Sequence, residues 1–265
     1  MLLSFTKFSP GGNDTIIVQS EVPGSKRVQI AQTLMSATYL SAEQVGYLSY
    51  PKIDGVDGRL EMMGGELCVN ALRSAVALLA QKTGKRIFRM QSSGSEHILQ
   101  CESQPNSEGY DISIRLTVKP VMQDLEPNTT LVGLGGISHL LWEFNTTDVV
   151  DPLQIFEEMR QRYHNEFDLL DAFGVIPFVH VHDEYKISPV VFVRGTNTII
   201  PETGCGSGSI ALAILLFIKT GRKEFSIRQP SGSVYRVSIS REGEEFIAIL
   251  GGIVRTLVSG EAFLL

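Results

Sequence analysis

The 265-residue chain holds only three cysteines, one tryptophan and no dense run of lysine or arginine. Each shortage excludes something. An odd number of cysteines, none in a C-x-x-C zinc pair, makes no disulfide framework, so free thiols in a reducing, cytoplasmic setting are expected. A net charge of −6 without a basic patch argues against a nucleic-acid or anionic-membrane partner. The longest apolar run, Ile210 to Ile218, falls far short of the ~20 residues a membrane helix needs; a buried core helix is expected there. The opening MLLSFTKF has too short an apolar stretch for a signal h-region. No G-x-x-x-x-G-K-[ST] and no strand-linked G-x-G-x-x-G occurs, which leaves nucleotide binding unsupported. His180 and His182 lie one residue apart in a strand-like stretch with Asp183 after them. No third ligand is identifiable, so they read as a surface pair, and no metal is expected.

What is present is ordinary in bulk and unusual in pattern. With 43% hydrophobic and 20% charged residues, the chain can bury a sizeable core. Its length suits two linked units, since domains cluster near ~100–150 residues. The pattern is an internal repeat. The segment CVNALRSAVALLAQKTGKRIFRM begins at Cys68, and CGSGSIALAILLFIKTGRKEFSI begins at Cys205, 137 residues on (205 − 68). At that offset Leu78-Leu79 match Leu215-Leu216, Lys82-Thr83-Gly84 match Lys219-Thr220-Gly221, and Phe88 matches Phe225. One residue further out of step, Ser93-Gly94-Ser95 matches Ser231-Gly232-Ser233, and Gly11-Gly12 is echoed by Gly135-Gly136. Two equivalent halves about a pseudo-twofold axis explain this; a solenoid would need three or more short units.

Each repeat has a readable local structure. Cys68 follows Gly64-Gly65-Glu66-Leu67, and Cys205 follows Glu202-Thr203-Gly204. Both open proline-free runs of Ala, Leu, Val and Ile that end near Gly84 and Gly221, glycines suited to a left-handed cap. Being apolar nearly all round, these helices are expected inside their halves. Strands are expected at Thr15–Val18, Ile87–Met90, Asp111–Val118, Phe178–Val181, Val190–Val193, Phe225–Arg228, Val234–Ser238 and Phe246–Leu250. Asp151–Phe167 reads as a charged, amphipathic surface helix, and Cys101 as a buried small hydrophobe in a strand. The implied class is α+β, with strands wrapped round one central helix per half.

Two cysteines at two equivalent helix starts suit one kind of chemistry. Inverting a carbon stereocentre by proton transfer requires a base on one face and an acid on the other. A pseudo-twofold delivers such a pair to opposite sides of one cleft. A helix N-terminus favours the thiolate, and its free N–H groups can hold a substrate carboxylate where charge develops. Small or short residues after each cysteine (Val69, Asn70, Gly206, Ser207) allow close approach, and Asn70 and Ser207 can donate hydrogen bonds. Asn13, Glu43, His139 and Glu202 are further candidates for substrate contact. Glu43 and Glu202 are acceptors for an amine or imidazole.

At these residues the chain resembles the diaminopimelate epimerase superfamily of pyridoxal-phosphate-independent racemases. The match runs through FSPGGNDTIIV, Cys68-Val69-Asn70, Gly135-Gly136-Ile137-Ser138-His139, Cys205-Gly206-Ser207-Gly208 and Gln229-Pro230-Ser231-Gly232-Ser233. Within it, LMSATYLSAEQVGYL at 34–48, Gly64-Gly65-Glu66-Leu67-Cys68 and the stretch from Glu202 to Gly208 resemble the histidine racemases of opine-metallophore biosynthesis. The resemblance implies the diaminopimelate epimerase-like fold, with one domain from residues 1–127 plus 256–265 around Cys68 and another from 128–255 around Cys205. It further implies a homodimer, no cofactor, and D-histidine made for a metal-scavenging metabolite. Two departures stand out. Val69 occupies the place of the family glycine and is expected to narrow the cleft. The stretches that hold the distal amino acid of diaminopimelate are missing or reduced to Val193-Arg194-Gly195. An epimerase or racemase of another amino acid, diaminopimelate included, is the alternative within the class. A silent ligand-binding protein of the same fold is the alternative outside it, and the retention of both cysteines argues against that. A phenazine-type isomerase, which uses a carboxylate, is disfavoured for the same reason.

Overall fold

The repeat seen in the sequence recurs in the central elements of two stretches of the chain. The computed structural model describes residues 1–144 and 151–264. Its first stretch contains β1 (Leu2–Ser9), β2 (Thr15–Val18), α1 (Gly24–Met35), β3 (Gln44–Ser49), β4 (Gly58–Met62), α2 (Val69–Thr83), β5 (Ile87–Ser92), β6 (Leu99–Asn106), β7 (Gly109–Val118) and β8 (Val121–Glu126). The second contains β9 (Thr129–Gly133), β10 (Ser138–Glu143), α3 (Pro152–Arg162), α4 (His164–Phe167), β11 (Ala172–Val181), β12 (Glu184–Ile187), β13 (Val190–Val193), β14 (Thr198–Pro201), α5 (Gly206–Thr220), β15 (Glu224–Arg228), β16 (Val234–Glu242) and β17 (Glu245–Phe263).

The pairings match across the repeat. β1 and β2 are antiparallel, as are β9 and β10. β2 pairs in parallel with β3 after the α1 crossover, and β10 pairs in parallel with β11 after α3 and α4. β4 and β5 are parallel across α2, and β12 and β15 are parallel across α5. Antiparallel meanders β5–β6–β7 and β15–β16–β17 close each stretch.

The stretches also exchange their last strands. β17 runs beside β7 from Phe246 to Val254, then beside β1 from Arg255 to Phe263. Its counterpart is β7 followed by β8, which ladders onto β9. The counterpart is broken in two at Lys119-Pro120, where the proline has no N–H for a ladder.

α2 and α5 form the heart of the main hydrophobic cluster; α2 is buried from Val69 to Ala80 and α5 from Gly206 to Leu216. Smaller clusters lie under α1 (Ile30, Ala31, Leu34) and under α3 (Ile155, Phe156, Met159). The helix expected over Asp151–Phe167 is two pieces: the Asp151 side chain caps α3, and buried Tyr163, at φ −115° and ψ 35°, separates it from α4. Helix α1 gave no clear sequence signal: it starts after Pro23 without a side-chain cap, and its apolar residues make no sustained stripe. Cys101 is buried in β6, as its strand context implied.

Candidate active site

Cys68 and Cys205 are the N-caps of α2 and α5 in nearly superposable conformations, φ −120°, ψ 105° and φ −123°, ψ 104°. Each sulfur takes the place of the usual capping oxygen. The Ala71 amide donates to Cys68 Sγ at 3.4 Å and the Gly208 amide to Cys205 Sγ at 3.3 Å. At the far ends Gly84 and Gly221 adopt φ 69° and 71°, the left-handed caps expected there. The two N-termini meet: a Cβ built on Gly206 would lie 2.9 Å from the Cβ of Val69. In a helix the first amides have no intrahelical acceptor. The third of these is directed to the thiol in each case. The amides of Val69, Asn70, Gly206 and Ser207 precede the helical ladder on either side of one narrow space.

That space is a narrow cavity lined by Asn13, Glu43, Cys68, Val69, Asn70, Glu202, Gly206 and Ser207, and also by Gln44 and Glu66. Eight of the ten residues singled out from the sequence thus converge on it. The other two lie behind its wall. Cys205 is only 2% exposed and sits under Ser207 and Glu202. His139 does not line the cavity; it is fully buried and reaches the site through a 2.9 Å hydrogen bond with Ser207 Oγ. Burial pushes the His139 imidazole down to about 3, which leaves it neutral and suited to orienting Ser207 rather than pairing with a substrate charge.

The carboxylates differ in what they have left to give. Glu43 accepts from the Thr203 amide (2.9 Å), Thr203 Oγ1 (2.6 Å) and the Asp14 amide (3.3 Å). Its oxygens are occupied, and they clasp the β2–β3 region to the segment entering α5. Glu202 accepts from Asn13 Nδ2 at 2.8 Å and lies close to the Cys205 thiol. Burial, above all, pushes Glu202 up to about 8 against those contacts. Glu66, almost fully buried, accepts from the Gly64 amide at 3.1 Å and is raised by burial.

Both thiols are held protonated in the free cleft. Burial raises each, and the charge of Glu202 adds to it; capping amides pull the other way and lose. The Cys68 thiol donates to Gln44 Oε1 at 2.9 Å. This corrects the expectation that the helix N-termini alone would favour thiolates: desolvation outweighs the dipole here.

Asn70 is already engaged, its Nδ2 donating to Gly204 O at 2.8 Å, so its side chain ties the two helix starts together. Sequence reasoning passed over Gln44, Glu66, Gln229 and Arg73. Gln229 accepts from the Cys205 amide at 2.8 Å and donates to Ser209 Oγ at 3.0 Å, fixing the turn that enters α5. Arg73 is fully buried, donates to Pro10 O at 2.9 Å and lies 4.9 Å from the centre of the Tyr235 ring. A lone arginine inside an apolar helix was the available signal. His180 and His182 lie away from the site: His180 is exposed and stacks on Tyr185, and His182 occupies a positive-φ turn. Among the described residues no cluster of three or more His, Cys, Asp or Glu is placed to hold a metal. None of the described helices is long and apolar enough to cross a membrane.

Residues 2–263 match the family model described as the histidine racemase CntK N-terminal domain. The chain belongs to this family. It is 25% identical to a histidine racemase of Staphylococcus aureus, covering 99% of this chain and 98% of that one. It is 26% identical to a histidine racemase of Fusobacterium nucleatum over 87% of each chain. A phenazine biosynthesis protein of the PhzF family from Bacillus anthracis shares the fold with a TM-score of 0.70 at 14% identity, covering both chains in full. A hydroxyproline epimerase from Agrobacterium vitis, solved with trans-4-hydroxy-L-proline, has a TM-score of 0.67 at 12% identity over 98% of this chain and 92% of that one. The α+β, epimerase-like fold is therefore shown, and the histidine racemase family member described here is an isomerase, an amino-acid racemase or epimerase. Independence from pyridoxal phosphate fits that family.

Proposed function

We propose that this racemase interconverts L- and D-histidine by passing the α-proton between Cys68 and Cys205, with no cofactor. The observation that carries the reading is the pair of thiols capping two facing helix N-termini in matching conformations. The substrate carboxylate fits the unladdered amides of Val69, Asn70, Gly206 and Ser207, whose field strengthens as charge moves from the α-carbon into the carboxylate. The ammonium fits Glu202 and Asn13. Asn13 lines the cavity, and its buried Oδ1 has no hydrogen-bond partner. An ammonium placed there adds a positive charge beside the buried thiols, which favours ionisation of one of them. That thiolate takes the α-proton while the opposite thiol delivers its own; thiol and thiolate exchange ends, and the proton count is unchanged.

Histidine is favoured by the named relatives and by a cavity that combines Glu43, Glu66 and Glu202 with the apolar Ile137, Val191, Val193 and Ile200. In the role that the resemblance implies, the D-enantiomer feeds an opine-type metallophore, and a homodimer does the work in the cytoplasm, where the thiols stay reduced. The test is purified, reduced protein with L-histidine and no added pyridoxal phosphate, followed by chiral chromatography. Approach to an equal mixture of enantiomers supports the reading. Unchanged L-histidine, with another amino acid racemised in a parallel panel, moves the substrate and keeps the chemistry.

A further inference from the structure

A racemase built on a pseudo-twofold axis must treat the two faces of the α-carbon alike. It must still tell the ammonium from the side chain. The proton-handling parts repeat at the 137-residue offset: Cys68 with Cys205, Val69 with Gly206, Asn70 with Ser207. The groups that distinguish ammonium from side chain belong where the repeat is broken. Two cavity carboxylates stand at such places. Glu202 corresponds to Gly65, and Glu66 corresponds to Thr203. The third carboxylate, Glu43, is taken up by the clasp to Thr203.

The two differ in position. Glu202 accepts from Asn13, lines the cavity with Cys68 and precedes Cys205 by three residues, so it sits at the thiol end of the cavity. Glu66 acts on Cys68, more weakly than Glu202 does. It is 8% exposed, and it lines both the cavity and a second, wider cleft bordered by Gly64, Gly94 and Gly136. It therefore marks the end of the cavity away from Cys205. Gly64 keeps its place there: a Cβ on Gly64 would lie 2.8 Å from Glu66 Oε2 and 2.3 Å from Val193 Cγ1.

We propose that Glu66 is the residue that reads the substrate side chain, by accepting a hydrogen bond from an imidazole N–H. This rests on the histidine reading above. Glu202 with Asn13 then takes the ammonium, and the side chain extends past Cys68 toward the wider cleft.

The test uses L-histidine and its two ring-N-methyl derivatives, each of which removes one N–H site. Wild-type enzyme should show a rise in KM of about ten- to hundred-fold for one methyl derivative, the range of a charge-assisted hydrogen bond, with kcat within a few-fold. Glu66→Gln keeps an acceptor for the Gly64 amide; it should raise KM for histidine by about ten-fold and shrink the methyl penalty. Wild-type enzyme that takes both derivatives with unchanged KM overturns the proposal without any variant. So does a Glu66→Gln effect that simply multiplies with methylation, or one that falls on kcat alone. Wild-type enzyme inert to histidine overturns the substrate reading itself, and this proposal with it.

Discussion

Val69 and Gly206 occupy equivalent positions in the two halves and touch: a Cβ added to Gly206 would come within 2.9 Å of Val69 Cβ and 3.0 Å of Asn70 Oδ1. The valine that replaces the family glycine is accommodated because its partner across the axis has no side chain. The close approach of the two helix N-termini rests on Gly206.

Gly206→Ala should therefore overpack the junction. The expected cost is about 1–3 kcal/mol, read as a thermal midpoint lowered by roughly 2–4 °C per kcal/mol for a chain of this size. Racemisation should fall as the helix starts are pushed apart. Adding Val69→Gly to the same chain should restore both. Additive losses in the double variant would show that the two residues do not share the space.

Glu43 lines the cavity, yet its oxygens are committed to Thr203 and Asp14. Glu43→Ala should lower stability by about 1 kcal/mol through loss of those partly solvated hydrogen bonds, measured by urea unfolding. Thr203→Val should cost less and should add little to Glu43→Ala. A Glu43→Ala protein of normal stability with a raised KM would make Glu43 a substrate ligand instead of a clasp.

The raised pKa of Glu202 has a stability consequence of definite sign. Between the ordinary carboxylate value of 4.5 and about 8, the folded chain keeps a proton on Glu202 that the unfolded chain has lost. The unfolded state then binds fewer protons, so Glu202 lowers stability progressively as pH rises from 4.5 to about 8, and no further above that. Glu202→Gln should gain in thermal midpoint relative to wild type across that window and level off above it. A difference between the two proteins that stays flat from pH 5 to pH 9 would refute the shift.

How much of this was legible in the sequence depends on whether the signal was local. The two central helices were, because an apolar run bounded by a small-residue start and a Lys-Thr-Gly end is self-contained. Both cysteines were legible because the repeat pairs them. The exchange of β8 and the end of β17 was not, since strand pairing between residues such as Leu2 and Phe263 is decided by tertiary packing. His139 was read as a cleft residue but lies behind Ser207; sequence places it on β10 and cannot say how far its ring projects. Glu66 lies within the Gly64–Cys68 stretch that carries the resemblance, but nothing in the sequence sets it apart there from its neighbours. Its meaning comes from burial and from the break in symmetry opposite Thr203. The upward push on both thiols is not legible, because the helix field is visible in a sequence and desolvation is not.

The central claim is that two opposed thiols share one proton transfer. Its most direct test follows loss of the α-proton signal of L-histidine in D₂O by NMR, with chiral analysis of the product, for wild type, Cys68→Ser and Cys205→Ser. Wild type should incorporate deuterium and form D-histidine, and each single variant should lose inversion by several orders of magnitude while keeping its fold. Near-normal racemisation by either variant would contradict it.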